Sequence, residues 1–274
     1  MEVGIIGTGN MGRILTEAIV DGKAVSPSSI IITNRSISKA MMIQKNYPEI
    51  RLTQDIGEIG NTADLIFICV KPHDVYEVAM KLQPELTKDK CVISITSPIN
   101  VKQLESVLPC SVARVIPSIT NRALSGVTLL SFGQQCKGTW KKSITDLFNH
   151  ISTPVEIDEE ITRVSSDIVS CGPAFFSYLT QRFILAAVHE TKIDQETATI
   201  FASEMLIGLG ELLRKGYYTL PTLQEKVCVK GGITGEGINV LENELGDIFE
   251  HLFQATHLKF EDDLAGLRDQ YTSK

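Results

Sequence analysis

Positive charge is in short supply in this chain: 26 lysines and arginines face 33 aspartates and glutamates, a formal net charge of −7 over 274 residues. A surface of that sign repels polyanions, so no general binding to nucleic acid or to an anionic membrane is expected, and cationic groups that matter must act locally. Paired cysteines are missing as well. Cys69, Cys91, Cys110, Cys136, Cys171 and Cys228 show neither C-x-x-C spacing nor the density of a disulfide scaffold, and several lie in apolar runs where a thiol is a small hydrophobe. The five histidines have no metal-ligand spacing with one another or with the cysteines, so no metal site is expected. No apolar run approaches the length of a membrane span. The first apolar strand opens at Val3, which leaves no room for a signal peptide and implies a cytoplasmic protein.

What is present is enough for substantial cores. Hydrophobic residues make up 43% of the chain, and its length suits one large or two ordinary domains. The opening "VGIIGTGNMGRILTEAIVDG" reads as a short apolar strand, a glycine-rich turn and a helix with apolar residues at Met11, Ile14, Leu15, Ala18 and Ile19. Gly7, Gly9 and Gly12 form G-x-G-x-x-G: the first glycine turns the chain, the second lets the backbone approach a pyrophosphate, and the third lets helix and strand pack closely. The N–H groups of the helix start, from Thr8 through Asn10 and Met11, then face the phosphates.

The next strand, Ile30 to Thr33, ends in Asn34, Arg35 and Ser36, and the carboxylate usual at this point is absent. An acid there accepts hydrogen bonds from the ribose hydroxyls of NAD and would repel a 2′-phosphate, whereas an arginine accommodates that phosphate. A guanidinium fork, an amide and a hydroxyl in succession therefore point to NADP(H). The plainer alternative is that Arg35 is a solvated residue at a strand end.

Further strand candidates follow at Leu65 to Val70, Cys91 to Ile95, Val112 to Val115 and Val127 to Leu130, with helical patterns between the early ones. This pattern predicts a doubly wound Rossmann-type α/β domain over residues 1–157, its sheet buried on both faces. After "TPVEIDEE" the β signals stop, and residues 158–274 are expected to form an all-α domain. Its first helix is apolar around most of its circumference, Phe175, Phe176, Tyr178, Leu179 and Phe183 to Val188 included, and such a helix must be enclosed by others. A homodimer through the C-terminal helices would enclose it; a central helix buried within one chain is the alternative. Cys171, just before Gly172-Pro173 at an expected helix start, is either a thiol activated by the helix dipole or a small residue at a crowded turn. No histidine lies nearby to act as its base, which favours the second.

These residues resemble the pyrroline-5-carboxylate reductase family, which reduces a cyclic imine to L-proline with NAD(P)H. The resemblance runs through the whole chain. "VGIIGTGNMG" is similar to the family's first strand and turn, "TNRS" to its NADP-type loop, and "VKP", Val70-Lys71-Pro72, to its motif after the fourth strand. "RVIPSIT" resembles R-V-M-P-N-T-P, "SCGPAF" resembles S-G-S-G-P-A-Y, and "KGGITGEGINVLE" resembles P-G-G-T-T-x-x-G-L-x-x-L-E. Within the family the sequence resembles the ComER-like branch, encoded with late-competence genes. The resemblance implies a Rossmann domain joined to a helical domain that dimerises by interleaving, with Ser94 and Thr96 near the cofactor.

The departures cluster on the substrate side. Where the family reads S-I-A-A-G, this chain has "SITSP", Ser94 to Pro98. The asparagine of M-P-N is Ser118, and T-S-P-G-G-T-T appears as Cys228, Val229, Lys230, Gly231, Gly232, Ile233 and Thr234. An iminium carbon is already electrophilic, so its reduction needs a positioned hydride donor and little beyond a hydroxyl near the ring nitrogen. The resemblance gives that role to Thr234. The turn from Val229 to Thr234 and Ser118 would hold the substrate, with Val229 in place of a carboxylate-binding serine and Lys230 either restoring anion binding or pointing into solvent. Two readings stay open: an NADPH-dependent reductase of 1-pyrroline-5-carboxylate or a related imine, with weakened activity, and a catalytically degenerate member that binds NADP(H) as a regulatory or interaction protein. A hydroxyacid dehydrogenase is disfavoured, because that class places a lysine on the first interdomain helix and Glu160 to Thr191 contains none.

Overall fold

The computed structural model describes residues 1–272. Strands β1 (Val3–Ile6), β2 (Ile30–Thr33), β3 (Arg51–Leu52), β4 (Leu65–Ile68), β5 (Cys91–Ser94), β6 (Ser111–Ile116), β7 (Val127–Phe132) and β8 (Thr153–Glu156) form one sheet in the order β3-β2-β1-β4-β5-β6-β7-β8. Between them lie α1 (Asn10–Asp21), α2 (Ile37–Asn46), α3 (Ile56–Thr62), α4 (Pro72–Leu82), α5 (Val101–Glu105) and α6 (Gly138–Asn149). All neighbouring strands are parallel except β6 and β7, which run antiparallel. After β3 the chain crosses to the other side of β1, so the order reverses between β1 and β4, the place where doubly wound sheets bind ligands.

The strands are apolar at consecutive positions because both faces of the sheet are covered. Val3, Ile5, Phe67 and Ile93 pack with Leu15 and Ile19 of α1 and Leu147 and Phe148 of α6. On the other face, Ile31, Ile66, Ile68 and Val92 pack with Ile59 of α3 and Val75 and Leu82 of α4. The sheet extends further than the sequence reading. Strand β3 has two residues, too few for a period to register, and β8 is an exposed edge that carries Pro154, a residue confined to such edges because it has no N–H for a ladder. Val70 and Ile95, expected at strand ends, lie beyond β4 and β5.

By contact the chain forms two compact units, residues 1–173 with 255–274, and residues 174–254. The expected boundary at 157/158 followed the end of the β signal. The segment after it stays with the first unit through Arg114 of β6, whose side chain is 1% exposed. Its guanidinium donates to both carboxylate oxygens of Glu159 at 3.2 and 2.9 Å, to Thr162 Oγ1 at 2.7 Å, to Ser131 Oγ at 3.2 Å and to the Ser97 carbonyl at 3.1 Å. Beyond it come α7 (Thr162–Ser166), a π turn Asp167–Cys171 and α8 (Gly172–Glu190). Buried Asp167 accepts from Arg163 Nη2 and Thr256 Oγ1, each at 2.8 Å. The last helix, α12 (Ile248–Thr272), thus contributes its later turns to the first unit: Leu267 enters the core beside α4, and Tyr271 meets Tyr76 edge to face at 5.1 Å. A purely helical reading of residues 158–274 missed this return because Leu267 and Tyr271 look like any apolar helix positions.

The unit of residues 174–254 carries the rest of α8 with α9 (Gln195–Arg214), α10 (Leu220–Val227) and α11 (Ile233–Glu244). Its own core is small: Ile184, Ala198 and Ala202, with Val188 and Ile193 against them. Phe176, Tyr178, Phe183, Phe201 and Ile207 remain more than half exposed. One chain therefore does not enclose α8. Among the described residues no helix is long and apolar enough to cross a membrane.

Candidate cofactor and substrate site

A cleft of about 500 Å³ opens at the switch point between β1 and β4. Each glycine of the first turn meets a different demand there. Gly7 has φ +98°, a left-handed conformation, and a Cβ on it would lie 2.6 Å from the Cys69 carbonyl oxygen. A Cβ on Gly12 would lie 2.0 Å from the Gly7 oxygen, so α1 could not approach β1 so closely with any side chain there. At Gly9 the opposite holds: nothing lies within 4 Å of an added Cβ, and the space it would fill is the cleft. A tight turn, a close helix and an open backbone face together fit a dinucleotide pyrophosphate, with the exposed start of α1 at Asn10 supplying N–H groups that have no helical partner.

The wall beyond β2 is cationic. Arg35 and Ser36 are exposed and line the cleft, and among the described residues the Ser36 side chain makes no capping hydrogen bond to α2. Asn34 is fixed, Oδ1 accepting from the Thr8 N–H at 2.9 Å and Nδ2 donating to the Ser36 carbonyl at 2.9 Å. Opposite stands α4, which shows the cleft Asp74, Glu77 and Lys81, with Lys71 just before its first turn. Glu77 is ion-paired to Lys81 at 2.6 Å, and that hydrogen bond and charge, with a smaller contribution from Arg35, hold its carboxyl below the usual range. Burial pushes the Cys69 thiol upward, so it lies at the cleft as a neutral group.

Of the sequence candidates, Gly7, Gly9, Asn34, Arg35, Ser36, Val70 and Lys71 meet in this cleft. Others are buried, and most of these are engaged internally. Thr8 is buried, and its Oγ1 has no partner among the described residues. Ser94 and Thr96, buried at the end of β5, bond to each other at 2.9 Å. Ser118 is 1% exposed; its hydroxyl donates to the Val169 carbonyl at 2.8 Å and accepts from Thr120. Any influence of Ser118 on a ligand therefore acts through loop shape. Sequence reasoning missed Lys39 and the Asp74, Glu77 and Lys81 face of α4. The signal was available: Lys39 follows Ser36 by one helical turn, and the other three recur at helical spacing from Lys71.

The substrate candidates from Val229 to Thr234 form a turn in the helical unit. Gly232 N–H donates to the Val229 carbonyl at 2.9 Å, Gly231 takes φ +74°, and α11 starts at Ile233 with Thr234 next. Val229 and Ile233 are 65% and 93% exposed, and Lys230 and Thr234 are exposed too. Gly232 caps α11 without a side chain, which leaves its first N–H groups open to an anion. At Cys171 the structure favours the small residue at a crowded turn over the activated thiol: it lies inside the π turn leading into α8, 3.6 Å from Arg163 Nη2, and burial outweighs that cation and raises its thiol pKa. No open helix end stands there to activate it.

Comparison with known proteins agrees with this geometry. Residues 2–98 match the model of the NADP oxidoreductase, coenzyme F420-dependent family, and residues 159–263 match that of pyrroline-5-carboxylate reductase dimerisation. ComE operon protein 4 of Bacillus subtilis is 53% identical over 99% of both chains, and pyrroline-5-carboxylate reductase 3 of the same organism is 28% identical over 95% of this chain and 96% of its own. The chain belongs to the pyrroline-5-carboxylate reductase family. Within that family it stands with ComE operon protein 4. The fold is shared with the pyrroline-5-carboxylate reductase of Coxiella burnetii, at TM-score 0.85 and 24% identity over 95% of this chain and 97% of that one. It is shared also with the Plasmodium falciparum pyrroline carboxylate reductase, solved with NADP bound, at TM-score 0.81 and 23% identity over 97% of both.

Proposed function

We propose that this family member is an NADPH-dependent reductase of a cyclic imine, 1-pyrroline-5-carboxylate to L-proline, with a weakened hold on the substrate carboxylate. NADP(H) fits the cleft: Gly9 leaves room for the pyrophosphate, and Arg35 with Ser36 offers a charge-assisted site for the 2′-phosphate. When bound, the nicotinamide supplies a hydride to the imine carbon. The chain's own residues have little else to do in that step, because a protonated C=N accepts the electron pair without further acid. In this reading Thr234 has the role of hydrogen-bonding the ring nitrogen, and the turn from Val229 to Gly232 with the start of α11 that of receiving the carboxylate. The observation that carries the reading is this turn: it keeps the left-handed Gly231, a helix start without a side-chain cap and Thr234, while Val229 stands in place of the carboxylate-binding serine.

One missing hydrogen bond to a charged group costs about 1.5–3 kcal/mol, or about one to two decades in affinity. The substrate's KM is therefore raised while kcat is less affected. The helical domain is proposed to act as a homodimer, the second copy covering Phe176, Phe183 and Phe201. NADPH oxidation with 1-pyrroline-5-carboxylate tests the assignment. Turnover is expected, with KM falling about ten- to hundredfold in the Val229→Ser, Lys230→Pro variant. No turnover in either protein, with NADPH binding intact in both, rejects the reductase for this substrate and favours a nucleotide-binding regulator.

A further inference from the structure

At the position where NAD-type sites hold an acid, this chain has an amide already occupied on both ends. Asn34 Oδ1 accepts from the Thr8 N–H, inside the glycine turn, and Asn34 Nδ2 donates to the Ser36 carbonyl, which also accepts the Lys39 N–H at 3.0 Å. One side chain thus ties the phosphate turn after β1 to the loop after β2 and closes that loop around Arg35. The backbone is joined at the same place, since Gly7 N–H donates to the Thr33 carbonyl at 2.8 Å. An aspartate in its place would keep an acceptor for Thr8 but would set a carboxylate oxygen against the Ser36 carbonyl.

We infer that Asn34 is a positioning residue for cofactor selection, acting through Arg35 and making no contact with the nucleotide itself; this deepens the NADP(H) reading and rests on it. Pinned at 34 and at 36, the loop presents the Arg35 guanidinium to the cleft in one place. That is where a 2′-phosphate must find it, and a cofactor without the phosphate gains nothing from the arrangement. Asn34 therefore discriminates between NADPH and NADH without touching what differs between them.

A direct ligand and a positioning residue differ in how their losses combine. Affinities for NADPH, NADH and 2′,5′-ADP, measured by calorimetry on the full chain, form a double-mutant cycle with Asn34→Ala, Arg35→Ala and the pair. Arg35→Ala is expected to weaken NADPH about ten- to hundredfold and NADH by about twofold or less. Asn34→Ala is expected to weaken NADPH and 2′,5′-ADP about tenfold in the native background, and by about twofold or less once Arg35 is gone. Asn34→Gln keeps the amide but displaces it by one methylene, and gives the same cycle should the alanine variant not fold. Multiplying losses would mean that Asn34 touches the cofactor, and equal losses for NADPH and NADH would mean a merely structural role; either result overturns the inference while leaving NADP(H) binding in place. A native protein that binds neither nucleotide removes the NADP(H) reading and this inference with it.

Discussion

Glu159 is an outwardly ordinary residue whose loss should be costly. Its side chain is 56% exposed, and a surface ion pair contributes at most about 1 kcal/mol. Its partner decides otherwise, because the Arg114 guanidinium is 1% exposed and its Nε has no partner among the described residues. Glu159→Ala would leave a buried cation without its counter-charge, which costs about 3–5 kcal/mol. Neutral acceptors remain at Ser97, Ser131 and Thr162, so the low end of that range, about 3 kcal/mol, is expected. In a chain of this size the melting temperature would fall by about 6–12 °C. The single tryptophan, Trp140, lies in α6 with its indole N–H bonded to the Asp89 carbonyl at 2.8 Å, so its fluorescence in urea follows the nucleotide unit. Pairing the change with Arg114→Met removes the stranded charge and should recover most of the loss. A drop below about 1 kcal/mol for Glu159→Ala, or no recovery in the double variant, would refute the reasoning.

Phe183→Glu, on a residue 67% exposed in α8, should convert the proposed dimer to monomers by light scattering while NADPH binding persists. Tyr271→Ala should cost about 3 kcal/mol through the lost contact with Tyr76, whereas Tyr271→Phe should be neutral or stabilising, because the Tyr271 hydroxyl is buried without a partner among the described residues. Burial, joined at Tyr47 by the hydrogen bond to Asp21, raises the phenols of Tyr47 and Tyr271 to about 12. The folded chain then keeps protons that the unfolded chain loses near pH 10, so stability is level below about pH 10 and falls from there toward about pH 12. Urea midpoints across that window should fall less steeply in Tyr47→Phe and in Tyr271→Phe.

The nucleotide half was legible because its requirements are local. Gly7, Gly9 and Gly12 each answer a backbone demand set within a few residues, and Asn34-Arg35-Ser36 follows a strand whose four buried residues give a clear apolar run. What escaped is what depends on distant partners. Nothing near Ser118 says that its hydroxyl is engaged internally, since its acceptor is Val169, far along the chain. The α4 face was hidden for a related reason: Asp74, Glu77 and Lys81 look like a solvated helix surface until the cleft stands beside them. Strand β8 eluded a pattern search because an exposed edge has no apolar run to find.

The return of α12 to the nucleotide unit bears on how the protein is made. The first unit is interrupted in sequence, with residues 174–254 inserted before the turns that carry Leu267 and Tyr271. During synthesis the sheet and α4 emerge long before the helix that completes their core, so the face around Val75 and Tyr76 stays open until Leu267 and Tyr271 have left the ribosome. Contacts of such sequence separation form late and slowly, and the waiting apolar surface is exposed to aggregation. A fragment ending at Pro173 would carry the glycine turn and the cationic wall intact yet stay in that unfinished condition, and its yield in soluble form would report how much the last helix contributes.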